Sequence, residues 1–209
     1  GTTMKTRERI LLCALTLFNE EGEPNVTTLE IANELDISPG NLYYHFKGKE
    51  ALLEALLGHF QQATLGLLES DGEDHAPNAE DLWLLLHLLF ERIGEYRFLF
   101  CDLSNLMQRY PFLRKAMQHW LCRLRSRLQE LLQQLQRDEH LQTHCQSLDH
   151  LLDALCQTVL FWLDYRRVGG DPEPDPAEAV VQLLSLLQVY LAGDYRDWIA
   201  QLIEQYQPH

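Results

Sequence analysis

Apolar residues recur at helical spacing along nearly the whole chain, and no run of alternating β-branched residues interrupts them. The pattern predicts an all-α protein. Near the start, Ile10, Ala14 and Phe18 fall at i, i+4 and i+8, which predicts a helix over residues 5–21 that stops at Gly22. Thr27-x-x-Glu30 matches a capping box, in which hydroxyl and carboxylate answer backbone N–H groups left free at a helix start. A second helix therefore runs from Thr27 to about Asp36 and carries Leu29, Ile31, Ala32 and Leu35. Ser38-Pro39 then pairs an N-cap with a proline at the first helical position, so a third helix starts at residue 39. Two short helices joined by so short a turn make a helix-turn-helix, whose second helix commonly lies in the DNA major groove.

Gly48-Lys49 opens a longer helix reaching about Ser70, and the polar stretch Asp71–Asn78 reads as a loop. Further helices are predicted over 79–94, 97–108, 111–138, 147–168, 177–192 and 194–206, with Gly169–Pro176 separating the last long pair. The expected organisation is an N-terminal three-helix DNA-binding domain with the helix-turn-helix over residues 1–49. A larger helical bundle for effector binding and dimerisation follows over residues 50–209.

At about 100° per residue, Leu42 and Phe46 share the inward side of the third helix with Ser38. Gly40, Tyr44 and Lys47 then face the other way, flanked by Asn41 and Tyr43. Glycine near a helix start lets the backbone approach bases or phosphate closely. An Asn amide suits the edge of adenine, while tyrosine hydroxyls and a protonatable His mainly bond phosphates and set register. Lys47 and Lys49 would neutralise phosphates. Taken alone, Tyr43, Tyr44 and His45 fit equally well as rings that cap a helical subdomain.

With these residues the sequence resembles the TetR family of bacterial regulators, whose N-terminal motif spaces Gly, Tyr, His, Phe and Lys as do Gly40, Tyr43, His45, Phe46 and Lys49. The likeness covers residues 7–57, including Ile10, Ala14, Leu17, Phe18, Gly22, Thr27, Thr28, Ile31, Ala32, Ile37, Ser38, Leu42 and Leu52. It implies that Thr28, Gly40, Asn41, Tyr43, Tyr44, His45 and Lys49 touch DNA; Ser38 and Lys47 complete the candidate contact set. Asp36, at a turn where the family commonly has glycine, and the acidic Glu30 depart from the pattern.

Charge narrows the picture. The 209 residues carry a formal charge of −14, and residues 1–60 hold five Lys/Arg against nine Asp/Glu, which argues against a surface that is basic throughout. The cations are nonetheless placed at the extreme N-terminus and at 47–49, while most of the acids fall between 20 and 36. No apolar run reaches the roughly 20 residues of a membrane span, and no signal-peptide pattern opens the chain, so a cytoplasmic protein without membrane partners is expected. Cys13, Cys101, Cys122, Cys145 and Cys156 include no C-x-x-C pair and are expected to be free thiols.

The helices over 147–168 and 177–192 are apolar on more than one face. One side is assigned to the domain core and the other to a symmetry mate. Leu152, Leu155, Val159, Leu163, Val180, Leu184, Leu187 and Leu191 are the expected interface of a homodimer, and the family resemblance also implies pairing through the last two long helices. Trp83, Phe90, Phe98, Asp102, Trp120 and Trp162 are candidates for a pocket holding an unidentified small-molecule effector, with plain core packing as the alternative. His140, His144, Cys145 and His150 have a spacing open to metal binding, but an exposed polar connection explains them more simply, so neither metal nor cofactor is expected.

The reading is a repressor that binds a palindromic operator in double-stranded DNA as a homodimer and is released by its effector. The long helix from Lys49 acts as the lever between the two domains. Two rivals remain: a regulator that has lost DNA binding and serves as an interaction module, and an enzyme. The second lacks any G-x-S-x-G, H-E-x-x-H or P-loop constellation.

Overall fold

The computed structural model describes residues 3–69, 77–143 and 145–206, with the side chains of 145–147 left aside. Most of the expected Asp71–Asn78 loop therefore lies outside the described residues. Among those residues there are eleven α-helices and no strand, apart from an isolated bridge between Leu141 and Leu191. The chain divides into two units. The first comprises residues up to Ala63 together with Tyr96–Met117; the second comprises Thr64–Glu95 and the chain from Gln118 onward.

In the first unit, α1 (Thr6–Glu21) buries Ile10, Leu11, Ala14 and Phe18. Gly22 ends it at φ 86°, donating its N–H to the Phe18 carbonyl at 2.9 Å, and a 3₁₀ turn follows at Glu23–Asn25. Helix α2 (Thr28–Glu34) starts on Thr27, whose Oγ1 accepts the Glu30 N–H at 3.2 Å and donates to the Glu30 carboxylate at 3.4 Å. The two side chains thus cap the helix while bonded to each other, where the capping box anticipates the carboxylate reaching back to the Thr27 N–H.

The turn out of α2 is a Schellman arrangement. Ile37 N–H donates to the Ala32 carbonyl at 3.0 Å and Asp36 N–H to the Asn33 carbonyl at 3.2 Å. Its left-handed position belongs to Asp36, at φ 54°. This conformation is why glycine is favoured there. Helix α3 (Pro39–His45) is capped by Ser38, whose Oγ accepts the Asn41 N–H at 3.0 Å, and α4 (Lys49–Leu68) follows Gly48.

The helix expected over 97–108 is two: α6 (Arg97–Cys101) and α7 (Leu103–Arg109), broken at Asp102. Phe98, Leu99 and Phe100 are all buried in succession, which a single amphipathic stripe cannot achieve. Phe98 packs on Phe18 at 5.4 Å between centroids, and its N–H is accepted by Asn19 Oδ1 at 3.0 Å; Phe100 and Tyr96 meet Phe60 edge-on.

The second unit contains α5 (Ala79–Glu95), most of α8 (Pro111–Arg137), α9 (Cys145–Val168), α10 (Pro176–Gln188) and α11 (Gly193–Tyr206). Helix α10 ends four residues before the predicted position because residues 190–192 pair with 140–142: Gln142 N–H donates to the Tyr190 carbonyl and Ala192 N–H to the His140 carbonyl. Gly94 lets α5 and α10 approach closely, since a Cβ there would stand 2.9 Å from the Pro176 ring.

Of the residues expected at the dimer interface, Leu152, Leu155, Val159, Leu163, Val180, Leu184, Leu187 and Leu191 are all at most 4% exposed within a single chain, packed inside the protomer. On these helices and just beyond them the exposed apolar side chains are Phe161, Tyr165, Val168 and Val189.

The strained turn gives a direct check on the fold. Asp36→Gly removes the left-handed penalty of an L-residue and is expected to raise the unfolding free energy by about 0.5–1 kcal/mol in urea titration. A loss of stability would contradict the assigned turn.

Candidate nucleic-acid interface

Helix α3 is seven residues long and amphipathic by placement. Leu42 and Phe46 are buried, while Gly40, Asn41, Tyr43, Tyr44 and Lys47 are exposed, Tyr44 to 81%. His45 is half-buried and meets Tyr44 edge-on at 5.2 Å. A Cβ on Gly40 would touch nothing closer than Ser38 Oγ at 3.9 Å, so the residue relieves no crowding; it leaves the first turn of the helix bare for close approach. Thr28 is half-buried in the first turn of α2. Ser38 is exposed, but its oxygen already accepts the Asn41 N–H, so its first task is to start α3.

Arg7, absent from the predicted contact set, lays its guanidinium over the Phe46 ring at 4.6 Å. It remains exposed and brings a cation of α1 onto the ring at the end of α3. The only sequence signal for it was the clustering of cations near the N-terminus.

Lys49 is engaged within its own unit. Its ammonium is bonded to the Glu23 main-chain carbonyl and stands 3.2 Å from Glu23 Oε1, with the side chain only 22% exposed. In this conformation it is not offered to DNA. The Glu23 carboxylate has no solvent exposure and gathers two more donors: Arg109 Nη1 reaches Oε2 at 2.6 Å, and the Tyr110 hydroxyl reaches Oε1 at 2.6 Å. Such a buried anion is tolerable only when it is paired and hydrogen-bonded. Burial, followed by the bond to Glu23, pushes the Tyr110 phenol up to about 12, so it stays a neutral donor at any physiological pH. The same carboxylate raises the Arg109 guanidinium above its ordinary value, chiefly through the hydrogen bond.

The six candidate effector residues are divided between the two units. Phe98 and Asp102 belong to the first unit, the other four to the second. Asp102 accepts from Asn105 at 3.0 Å. Trp120 is fully buried and donates to Thr64 at 2.8 Å; Trp83 donates to Tyr206 at 2.8 Å. Trp162 donates to Gln182 at 3.2 Å and meets Phe90 edge-on. Each has a structural task, as aromatics on helices commonly do. A cleft of about 230 Å³ lined by His87, Phe90, Glu91, Asp175, Pro176, Ala177 and Val180 includes only Phe90 of the six.

Among the described residues, no group of three or more His, Cys, Asp or Glu side chains is placed to hold a metal ion. His140 rests on the Tyr195 ring at 4.1 Å, and His144 lies outside the described residues. None of the described helices is long and apolar enough to cross a membrane.

Comparison with known proteins places this geometry. Residues 10–56 match the family model for bacterial regulatory proteins of the TetR family, and residues 59–199 match a model described as a bacterial transcriptional repressor of the TetR type. The regulator UidR of Escherichia coli K12 is 42% identical over 60 residues, 29% of this chain and 31% of that protein, so the match spans about a third of that relative. A crystal structure of a TetR-family transcriptional regulator from Marinobacter aquaeolei VT8 is 30% identical with a TM-score of 0.86, covering 98% of this chain and all of that one. A complex of SmeT with triclosan shares the fold, at 21% identity and a TM-score of 0.60 over 90% of this chain and 93% of that one. With a helix-turn-helix open on one face and matches running through both units, the chain belongs to the TetR family of bacterial transcriptional regulators.

Proposed function

We propose that this protein is a cytoplasmic repressor that binds a palindromic operator as a homodimer and leaves it when a small-molecule effector binds. The observation that carries the reading is the open face of α3, where Asn41, Tyr43, Tyr44 and Lys47 stand in solvent while Leu42 and Phe46 anchor the helix from behind. Asn41 reads a base edge, the tyrosine hydroxyls and Lys47 hold phosphates, and the bare Gly40 admits the backbone to close range. Arg7, carried on Phe46, adds a phosphate contact beside the far end of α3.

The pairing surface is the exposed row on α9. Phe161, Tyr165 and Val168 fall at i, i+4 and i+7 on one helix face, and exposed apolar side chains grouped in this way mark an interaction site. A two-fold pair reads a palindromic operator when its two copies of α3 stand one helical turn of DNA apart. The SmeT complex with triclosan supports a small-molecule effector. Helix α4 begins in the first unit and ends in the second, so it is the segment through which effector binding changes α3 spacing.

DNA selected from a random pool by the intact protein tests this reading. Asn41→Ala is expected to weaken binding to the selected duplex by about 1–3 kcal/mol while leaving non-specific binding unchanged. Lys47→Gln is expected to weaken binding to all sequences and to flatten the log-affinity against log-salt slope by about 0.9 for each phosphate left without its cation. Absence of any salt-dependent retardation would remove the regulator reading. For the interface, Phe161→Glu combined with Tyr165→Glu is expected to give monomers in sedimentation and to abolish tight operator binding; a surviving dimer would place the contact elsewhere.

A further inference from the structure

The Glu23 cluster holds one more cation than its carboxylate requires. Lys49 and Arg109 bring two positive charges to one buried negative charge, and Tyr110 contributes a neutral donor. The two oxygens are not loaded equally. Oε1 takes both Lys49 and the Tyr110 hydroxyl, whereas Oε2 takes Arg109. If the ammonium left, each oxygen would keep one donor at 2.6 Å and the buried anion would still face a full positive charge.

We infer that Lys49 is a releasable cation, held by Glu23 in the free protein and transferred to a DNA phosphate on binding, and that Arg109 makes the transfer possible by retaining the Glu23 charge. This rests on the DNA-binding role proposed above. It extends that role to a residue 60 positions beyond Lys49 that does not touch DNA. Arg109 is thus a positioning residue.

The placement of Lys49 suits the exchange. It opens α4 two residues after the exposed Lys47, and its flexible stem keeps some solvent exposure while the carboxylate has none. The main-chain bond to Glu23 is the other contact the ammonium must give up, and a water or phosphate oxygen can replace it for the ammonium. Without Arg109 the balance changes. Among the described residues Lys49 would then be the one cation left on the buried carboxylate, and its departure would strand that charge, which is costly enough to hold it in place. The high ionisation range of the Tyr110 phenol keeps its donor function available throughout, but a phenol alone supplies no charge.

The test uses full-length protein and the duplex that the wild type selects, comparing salt slopes for wild type, Lys49→Gln, Arg109→Gln and the double variant. Lys49→Gln should reduce the slope by about 0.9 for each Lys49 that reaches a phosphate. Arg109→Gln should reduce it by the same amount, and the double variant by no more than either single change. A purely structural Arg109 would lower affinity without changing the slope, and that outcome overturns the inference. So does a double variant whose loss equals the sum of the two, since Arg109 would then hold a phosphate itself, and so does a Lys49→Gln slope equal to wild type.

If Arg109→Gln melts below the assay temperature, Tyr110→Phe takes its place. It keeps both cations, deprives Oε1 of its second donor, and should lower the slope by a smaller amount; an unchanged slope counts against the inference. Wild-type protein that binds no duplex at all refutes the regulator reading and this inference with it. A wild type that binds normally beside an Arg109→Gln variant of unchanged slope refutes only the inference.

Discussion

A helix of seven residues cannot hold its shape in water by itself, since isolated helices below about 12–15 residues are marginal even with favourable sequences. Whatever α3 presents to a partner therefore depends on the burial of Leu42 and Phe46 against the other helices of its unit. Removing two such side chains from water contributes roughly 1.5–3 kcal/mol each. Ser38 and Pro39 reduce the cost of starting the helix, one by accepting a free N–H and the other by lacking one. The same burial sets the rotation of the helix about its axis, so the inward pair decides that Asn41, Tyr44 and Lys47 face out.

Around this anchor the unit uses polar chemistry sparingly and in buried places. Asn19 ties α6 to α1 through the Phe98 N–H, and Glu23 joins the 3₁₀ turn after α1 to the first residue of α4 and to the junction of α7 and α8. The carboxylate is stable there because every donor it needs is within reach. It also explains how an acidic DNA-binding unit can work. One of the acids that weighs against DNA in a charge count is internal and neutralised, and the outward face of α3 carries no acid.

Local signals were legible in the sequence because their causes are local. Gly22, the Thr27 cap and Ser38-Pro39 each act within a few residues of where they stand, and the structure has helix ends at all three. The inward and outward sides of α3 followed from two large apolar residues four positions apart. Asp36 stands where glycine is common at the turn, and its left-handed backbone supplies the reason. What escaped depends on distant partners. The sequence offers Lys49 as a cation for phosphate, because nothing nearby reveals a carboxylate 26 residues away, let alone one shared with Arg109, 86 residues from Glu23. Helices α9 and α10 are apolar on several sides, so periodicity could not say which leucines look inward. Leu152, Leu155, Val159 and Leu163 are buried within the chain, and Phe161, Tyr165 and Val168 are at its surface. The break at Asp102 and the early end of α10 likewise arise from tertiary packing and from pairing with residues 140–142.

As proposed above, α3 enters the major groove in two copies related by a two-fold axis. Protection of guanine N7 from methylation on the selected duplex reads that groove directly. Two protected clusters are expected about 34–36 Å apart, related by the symmetry of the site and abolished when Leu42 is replaced by Asp. Guanine N7 left reactive while adenine N3 in the minor groove is protected, or one cluster without a symmetric partner, would contradict the proposal.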